Sequence, residues 1–369
     1  MADRLNYWDY LKLDSLLTLQ GGYSPSDDDI SEDEMHFIVV HQAYELWFKL
    51  IIRSLRLARD HLAAPKVAEE TIPHVVHHLR RVNATLNLLV QQWRVMETLT
   101  PQDFLAFRDK LSPASGFQSF QMRIMEILMG LDESKRIRYG KVDSLEHIRA
   151  HSVSSPAGRF AWAQIEKVQK EASILEVMND WLYRTPIQGS TPDQPDDEER
   201  VEQFIEAYLE KMVATHEVQL EGMIEALGEE RRESLVEKFA GIASAAREFM
   251  MGDDVEPGLK LRTRRIRAAA LFIESYRELP LLAWPRLLLD VIVEMEENLL
   301  LFRNGHARMV ERVIGRRVGT GGSSGVGYLD KTLNYRMFRD LWAIRTVLLA
   351  KDRLPALDQP EFYGFASPE

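Results

Sequence analysis

Apolar residues return every three or four positions along nearly the whole chain, a period that admits helices and little else. Between 37 and 62, Phe37, Val40, Tyr44, Trp47, Phe48, Ile51, Ile52 and Leu55 fall on one side of a 3.6-residue helix. A second run, 72–96, repeats the pattern with Val75, Leu79, Val82, Leu86 and Leu89, and Pro73 suits its first turn. Strand-type alternation is scarce. The expected fold class is all-α, a single large domain of long packed helices over residues 1–369.

Punctuation marks supply the boundaries. Thr100 followed by Pro101 reads as an N-cap and first helical residue, opening a short helix that carries Phe104, Phe107 and Arg108. The stretch LSPASG (111–116) breaks it, and a further helix is expected over 117–129. Later helices are expected at about 160–183, 197–227, 229–251, 262–279, 284–314 and 330–349. Two breaks are rich in turn formers: PIQGSTPDQPDD (186–197) and GTGGSSGVG (319–327). The first could divide two domains. One domain is preferred, because candidate site residues come from both sides of it.

Composition narrows the chemistry. The chain has no cysteine, which excludes disulfides, thiolate nucleophiles, iron–sulfur clusters and Cys-ligated metal. A net charge of -11 disfavours nucleic acid and anionic membranes as partners. No uninterrupted run of about 18 apolar residues is present, so no membrane helix is expected. The start MADRLNYWDY lacks the basic and apolar blocks of a signal peptide, and the chain reads as cytoplasmic.

A few residues stand out against this background. His41 shares a helix face with Phe37 and could accept a hydrogen bond from a substrate N–H; the competing account is a core histidine satisfied by its neighbours. Arg108, after two phenylalanines, suits a substrate carboxylate, or it is a helix-end arginine with its stem on apolar surface. The glycine-dense loop could bring backbone N–H groups and the hydroxyls of Thr320, Ser323 and Ser324 to a ligand, or be a linker. It is not a Walker loop. His306 is a lone helical histidine in a cysteine-free chain, which suits an axial haem ligand as well as a structural role. His74, His77 and His78 are more simply a solvated face. His41 and Glu45 are one i, i+4 pair, too few ligands for a non-haem iron triad.

Five blocks together resemble the tryptophan 2,3-dioxygenase family: NYWDYLKLDSLLTLQ (6–20), DEMHFIVVHQAYELWFK (33–49), METLTPQDFLAFRDKLSPASGFQSFQMR (96–123), WLYRTP (181–186) and HARMVERVIGRRVGTGGSSGVGYL (306–329). The resemblance runs through most of the chain, and LSPASGFQS and GTGGSSG are its most specific parts. It implies a cytosolic helical enzyme with one haem b per subunit, cleaving the indole C2–C3 bond of L-tryptophan with dioxygen to give N-formyl-L-kynurenine. It implies a homotetramer, a dimer of dimers. By the same resemblance His306 would be the proximal iron ligand and His41 the distal histidine that meets the indole N–H. Phe37 and Phe104 would wall the indole, Arg108 would pair with the substrate carboxylate, and Thr320, with a haem propionate, would hold the ammonium. Leu111, Ser115 and Gly116 would lie beside the haem. Tyr7, Tyr10 and Leu11 would be donated, with about the first 20 residues, to a neighbouring subunit's pocket. WLYRTP leaves open a second, non-catalytic tryptophan site.

The chain departs from the family's pattern in places. Phe302 stands four residues before His306 where a tryptophan is common, which leaves open how the proximal side is tuned. Glu32 replaces a frequent histidine, and the aromatic at 104 is Phe rather than Tyr. The alternative reading is a haem enzyme of the same superfamily that oxygenates another aromatic amino acid or indole. A haem sensor and a haem-free scaffold are the non-enzymatic rivals.

Overall fold

A computed structural model describes residues 6–24, 26–112, 114–138, 143–320 and 324–364. The described residues are 75% helical, and among them the only β-type pairing is an isolated bridge between Ile187 and Ser190. In chain order the helices are α1 (Tyr7–Leu11), α2 (Leu13–Leu16), α3 (Glu32–Leu62), α4 (Ile72–Met96), α5 (Pro101–Leu111), α6 (Phe120–Met129), α7 (Ser144–Ser152), α8 (Pro156–Val168), α9 (Ile174–Arg184), α10 (Asp197–Leu227), α11 (Arg232–Met251), α12 (Lys260–Ser275), α13 (Ala283–Ile314), α14 (Val326–Thr332) and α15 (Arg339–Val347). No described helix is long and apolar enough to cross a membrane.

Local chemistry explains where these helices start and stop. α3 begins before its apolar stripe, at Glu32, Asp33 and Glu34, whose charges suit the positive end of the helix dipole. The Thr100 side chain caps α5 by accepting from the Asp103 N–H at 3.3 Å. The sequence expected one helix over 160–183. The structure has two, α8 and α9, because Ser173 and Glu176 form a capping box that restarts the helix. The helix expected over 330–349 is likewise divided into α14 and α15; between them the Arg336 guanidinium holds the carbonyls of Leu333 and Tyr335. α7 was not expected. Its Asp143–Glu146 capping box is the signal for it.

The described residues fall into two compact units. The first comprises Met1–Arg56, Leu79–Ala172 and Met295–Met337. Its core includes most of the α3 stripe expected from the period: Val40, Tyr44, Phe48, Ile51, Ile52 and Leu55 are buried, while Phe37 and Trp47 are half-buried. A fully buried Leu or Ile is worth about 1.5–3 kcal/mol relative to exposure, so this stripe is a main source of the unit's stability. Tyr44, Trp93 and Phe302, from α3, α4 and α13, form an aromatic cluster with ring centroids 4.4–5.8 Å apart.

The second unit comprises Leu57–His78, Ser173–Glu294 and Phe338–Glu369. Here α12 packs against α9, α10, α11 and α15. Arg265 on α12 is buried, pairs with Asp197 at 2.8 Å and donates to the carbonyls of Tyr183, Thr185 and Ser190. The proline-rich stretch 186–197 therefore lies inside this unit, held at both ends by one guanidinium.

Candidate active site

The first unit gathers the site from α3, α4, α5, α6, α13 and α14. On α3, the Nδ1 of His41 lies 2.7 Å from the carbonyl oxygen of Phe37, and the two rings are 4.0 Å apart. A carbonyl can only accept, so the proton sits on Nδ1 and Nε2 is left with a free lone pair. Burial lowers the His41 pKa from its ordinary value, outweighing the opposing Phe37 hydrogen bond. The side chain is nonetheless exposed, because it faces a cavity. Phe37 extends the aromatic surface to Phe104, 5.9 Å away, and Phe107, 5.7 Å away.

At the end of α5, Arg108 Nη2 donates to the carbonyl of Val318. The hydroxyl of Thr320 donates to the carbonyl of Ala114 at 2.6 Å. The glycine-rich stretch is thus tied to the α5–α6 connection through the two side chains singled out for the amino-acid end of a substrate. Gly325 lets the chain turn back into α14: its φ is +58°, and a Cβ there would lie 2.9 Å from the Arg317 carbonyl. Gly321, Gly322 and Ser323 of this loop lie outside the described residues. Ser115 caps the short turn before α6, accepting from the Phe117 N–H at 3.3 Å.

His306 projects from α13 into the same cavity, and its ring makes no hydrogen bond to a described residue. Burial, with smaller effects from His41 and Arg123, lowers its pKa to about 4. The indole of Trp93, from α4, stacks on it at 4.7 Å with the planes 2° apart.

Part of the wall is charged. Glu126 on α6 is buried and pairs with Arg136 and Arg303, each at 2.7 Å, and with Arg123 at 3.5 Å. Burial alone would raise its pKa, but the three guanidiniums hold it down at about 2. All three arginines are themselves buried, so the cluster carries more positive than negative charge.

Of the residues singled out in the sequence, His41, Phe104, Arg108, Ser115, Gly116, His306 and Thr320 line this one cavity. Phe37 stands behind His41. Leu111 ends α5 and is not among the lining residues. Tyr7, Tyr10 and Leu11 do not line it either; they sit on α1 with 70%, 71% and 41% of their surface exposed. Glu45 is turned to Ser119 at 2.7 Å and Gln121 at 2.8 Å. In the second unit, His74 and His78 lie about 6 Å from His61, and among the described residues no three metal-binding side chains converge. Sequence reading missed Trp93, Arg123, Glu126, Arg303 and Tyr328 as lining residues. Arg123 and Glu126 had a signal: two charges three residues apart inside the apolar FQMRIMEILM.

Comparison with known proteins gives the same direction. A family model described as tryptophan 2,3-dioxygenase matches residues 1–348. A Sorangium cellulosum protein named tryptophan 2,3-dioxygenase is 43% identical over 367 residues, covering 98% of this chain and 87% of the relative. A Ralstonia nicotianae protein named tryptophan 2,3-dioxygenase 2 is 43% identical over 370 residues, covering 98% of each. The chain belongs to the tryptophan 2,3-dioxygenase family. A more distant member, from Dictyostelium discoideum, is 32% identical over 355 residues, 95% of this chain and 85% of the relative. All three alignments extend well beyond the five blocks that carried the resemblance.

Proposed function

We propose that the protein is a haem-dependent oxidoreductase that adds both atoms of dioxygen across the indole C2–C3 bond of L-tryptophan. The product is N-formyl-L-kynurenine, and the reaction is the first step of tryptophan degradation by the kynurenine route. One observation carries the reading: a single cavity holds two neutral imidazoles, His41 and His306, together with the Arg108 cation and the Thr320 hydroxyl.

The residues fit haem b. His306 has an unengaged, unprotonated ring, the state an iron ligand requires. The surplus of buried positive charge around Glu126 favours a group that brings two propionates. Ser115 and Gly116 line the same space. Bound through His306, haem would supply the centre that activates dioxygen.

The chain's own residues place the substrate. Arg108 takes the carboxylate, exchanging an uncharged carbonyl partner for a charge-assisted pair. Thr320 presents its hydroxyl oxygen to the ammonium group. Phe37 and Phe104 border the indole, and the Nε2 lone pair of His41 accepts the indole N–H. A fixed tautomer matters here, because a proton on Nε2 would oppose that hydrogen bond. With both ends of the amino acid held, much of the entropic cost of aligning the C2–C3 bond is met on binding. The aromatic walls keep water from the reacting bond.

The assembly is proposed to be a homotetramer in the cytoplasm, following the resemblance to a cytosolic, tetrameric family. The exposed aromatic side chains of α1 support a second copy covering that segment.

The test is an anaerobic absorption titration of the reduced, haem-loaded protein with L-tryptophan, followed by oxygen. A Soret band that responds to tryptophan, then formylkynurenine absorbance, is expected. A Soret band indifferent to tryptophan would move the substrate to another aromatic compound, and no Soret band would overturn the reading.

A further inference from the structure

We infer that Trp93 is a positioning residue for His306, that Gly305 admits the indole, and that together they fix the plane in which the imidazole would meet the haem iron. The inference rests on the proposed role of His306 as the haem ligand.

The geometry is specific. The Trp93 indole and the His306 imidazole are parallel within 2° with centroids 4.7 Å apart, a stacked arrangement that restricts rotation of the imidazole about its Cβ–Cγ bond. The indole is itself fixed at its polar edge, since Trp93 Nε1–H donates to the carbonyl of Phe302 at 3.1 Å. That carbonyl lies one helical turn before His306 and is also the acceptor for the His306 backbone N–H in the α-helical ladder. Trp93 is thus referenced to the same turn of α13 that carries the imidazole, so the two rings cannot drift independently.

Gly305 is the second observation. Glycine inside a helix costs about 1 kcal/mol relative to alanine, so its place in the middle of α13 requires a reason. A Cβ at 305 would lie 2.7 Å from Trp93 Cδ1. Only a residue without a side chain lets the indole lie flat against the helix beside His306. The indole bordering this histidine comes from α4, while Phe302, on α13 itself, is farther away at 6.4 Å and tilted by 33°.

The test uses the haem-loaded wild type and the variants Trp93→Leu, Trp93→Phe and Gly305→Ala, each with helicity checked by circular dichroism. The readouts are the iron–imidazole stretching frequency of the ferrous form and the rate of haem transfer to an excess acceptor protein. Trp93→Leu should shift and broaden the stretching band and raise haem loss on the order of 10–100-fold, the usual effect of removing a group that orients a metal ligand. Gly305→Ala should act in the same direction with Trp93 still present, which covers the case in which Trp93→Leu folds poorly. Trp93→Phe keeps a flat ring and should recover most of the wild-type behaviour. An unchanged band and unchanged haem loss in both Trp93→Leu and Gly305→Ala would overturn the inference while leaving the proposed function intact. A wild type without an iron–imidazole band would overturn both.

Discussion

The carbonyl of Phe37 sets the proton position on His41. Their 2.7 Å contact spans one turn of α3 and leaves Nε2 as an acceptor facing the cavity. Replacing His41 by Ser should leave haem binding intact and strand a buried indole N–H. That costs about 1–3 kcal/mol, or roughly 5- to 150-fold in kcat/KM. The decisive comparison uses tryptophan methylated on the indole nitrogen, for which the variant should lose much less relative to wild type. Equal losses for both substrates would remove His41 from indole recognition.

Arg108→Ala should raise KM for L-tryptophan, with a smaller effect on kcat. A charge-assisted pair is worth roughly 1.5–3 kcal/mol, which corresponds to about 10- to 150-fold. Tryptamine, which lacks the carboxylate, should bind the variant and the wild type alike. Steady-state kinetics on the two compounds checks this, and an unchanged KM for tryptophan would remove the carboxylate contact.

Glu126→Gln should destabilise the protein by about 3–5 kcal/mol in chemical denaturation, because three buried guanidiniums lose the carboxylate they share. The pH dependence has a definite sign. Glu126 titrates near 2 in the folded chain against an ordinary 4.5, so the unfolded chain binds the extra proton between those values. Its contribution is complete above about 4.5 and fades as pH falls toward 2. The acid limb of a stability profile should therefore be shallower in the variant.

Deleting residues 1–11 should change the stability of a single subunit by no more than roughly 0.5 kcal/mol, since α1 buries no side chain. If a neighbouring copy uses Tyr7, Tyr10 and Leu11, activity should fall far more than stability. Thermal melts and turnover measured on the same preparation separate the two effects. Full activity after the deletion would refute a shared pocket.

The helices were legible in the sequence because burial of one face imposes its period directly, as the stripe from Val40 to Leu55 shows. The breaks after Val168 and Thr332 were not, since they depend on caps and side-chain–carbonyl contacts that leave the period undisturbed. Several candidate site residues were legible through the resemblance, and His41, Arg108, His306 and Thr320 do meet in space. Trp93 was hidden because a buried tryptophan on an apolar face reads as core. Its partner His306 lies on a helix far along the chain, and one sequence carries no record of which faces meet.

The contact between Trp93 and Gly305 also bears on how such a chain can change over time. A side chain acquired at 305 would be harmful while the indole remains, and a smaller residue at 93 would leave a glycine with nothing to accommodate. The dependence runs one way: a side chain at 305 is accommodated only where position 93 carries something smaller than the indole, so the two positions should couple in a double-mutant cycle.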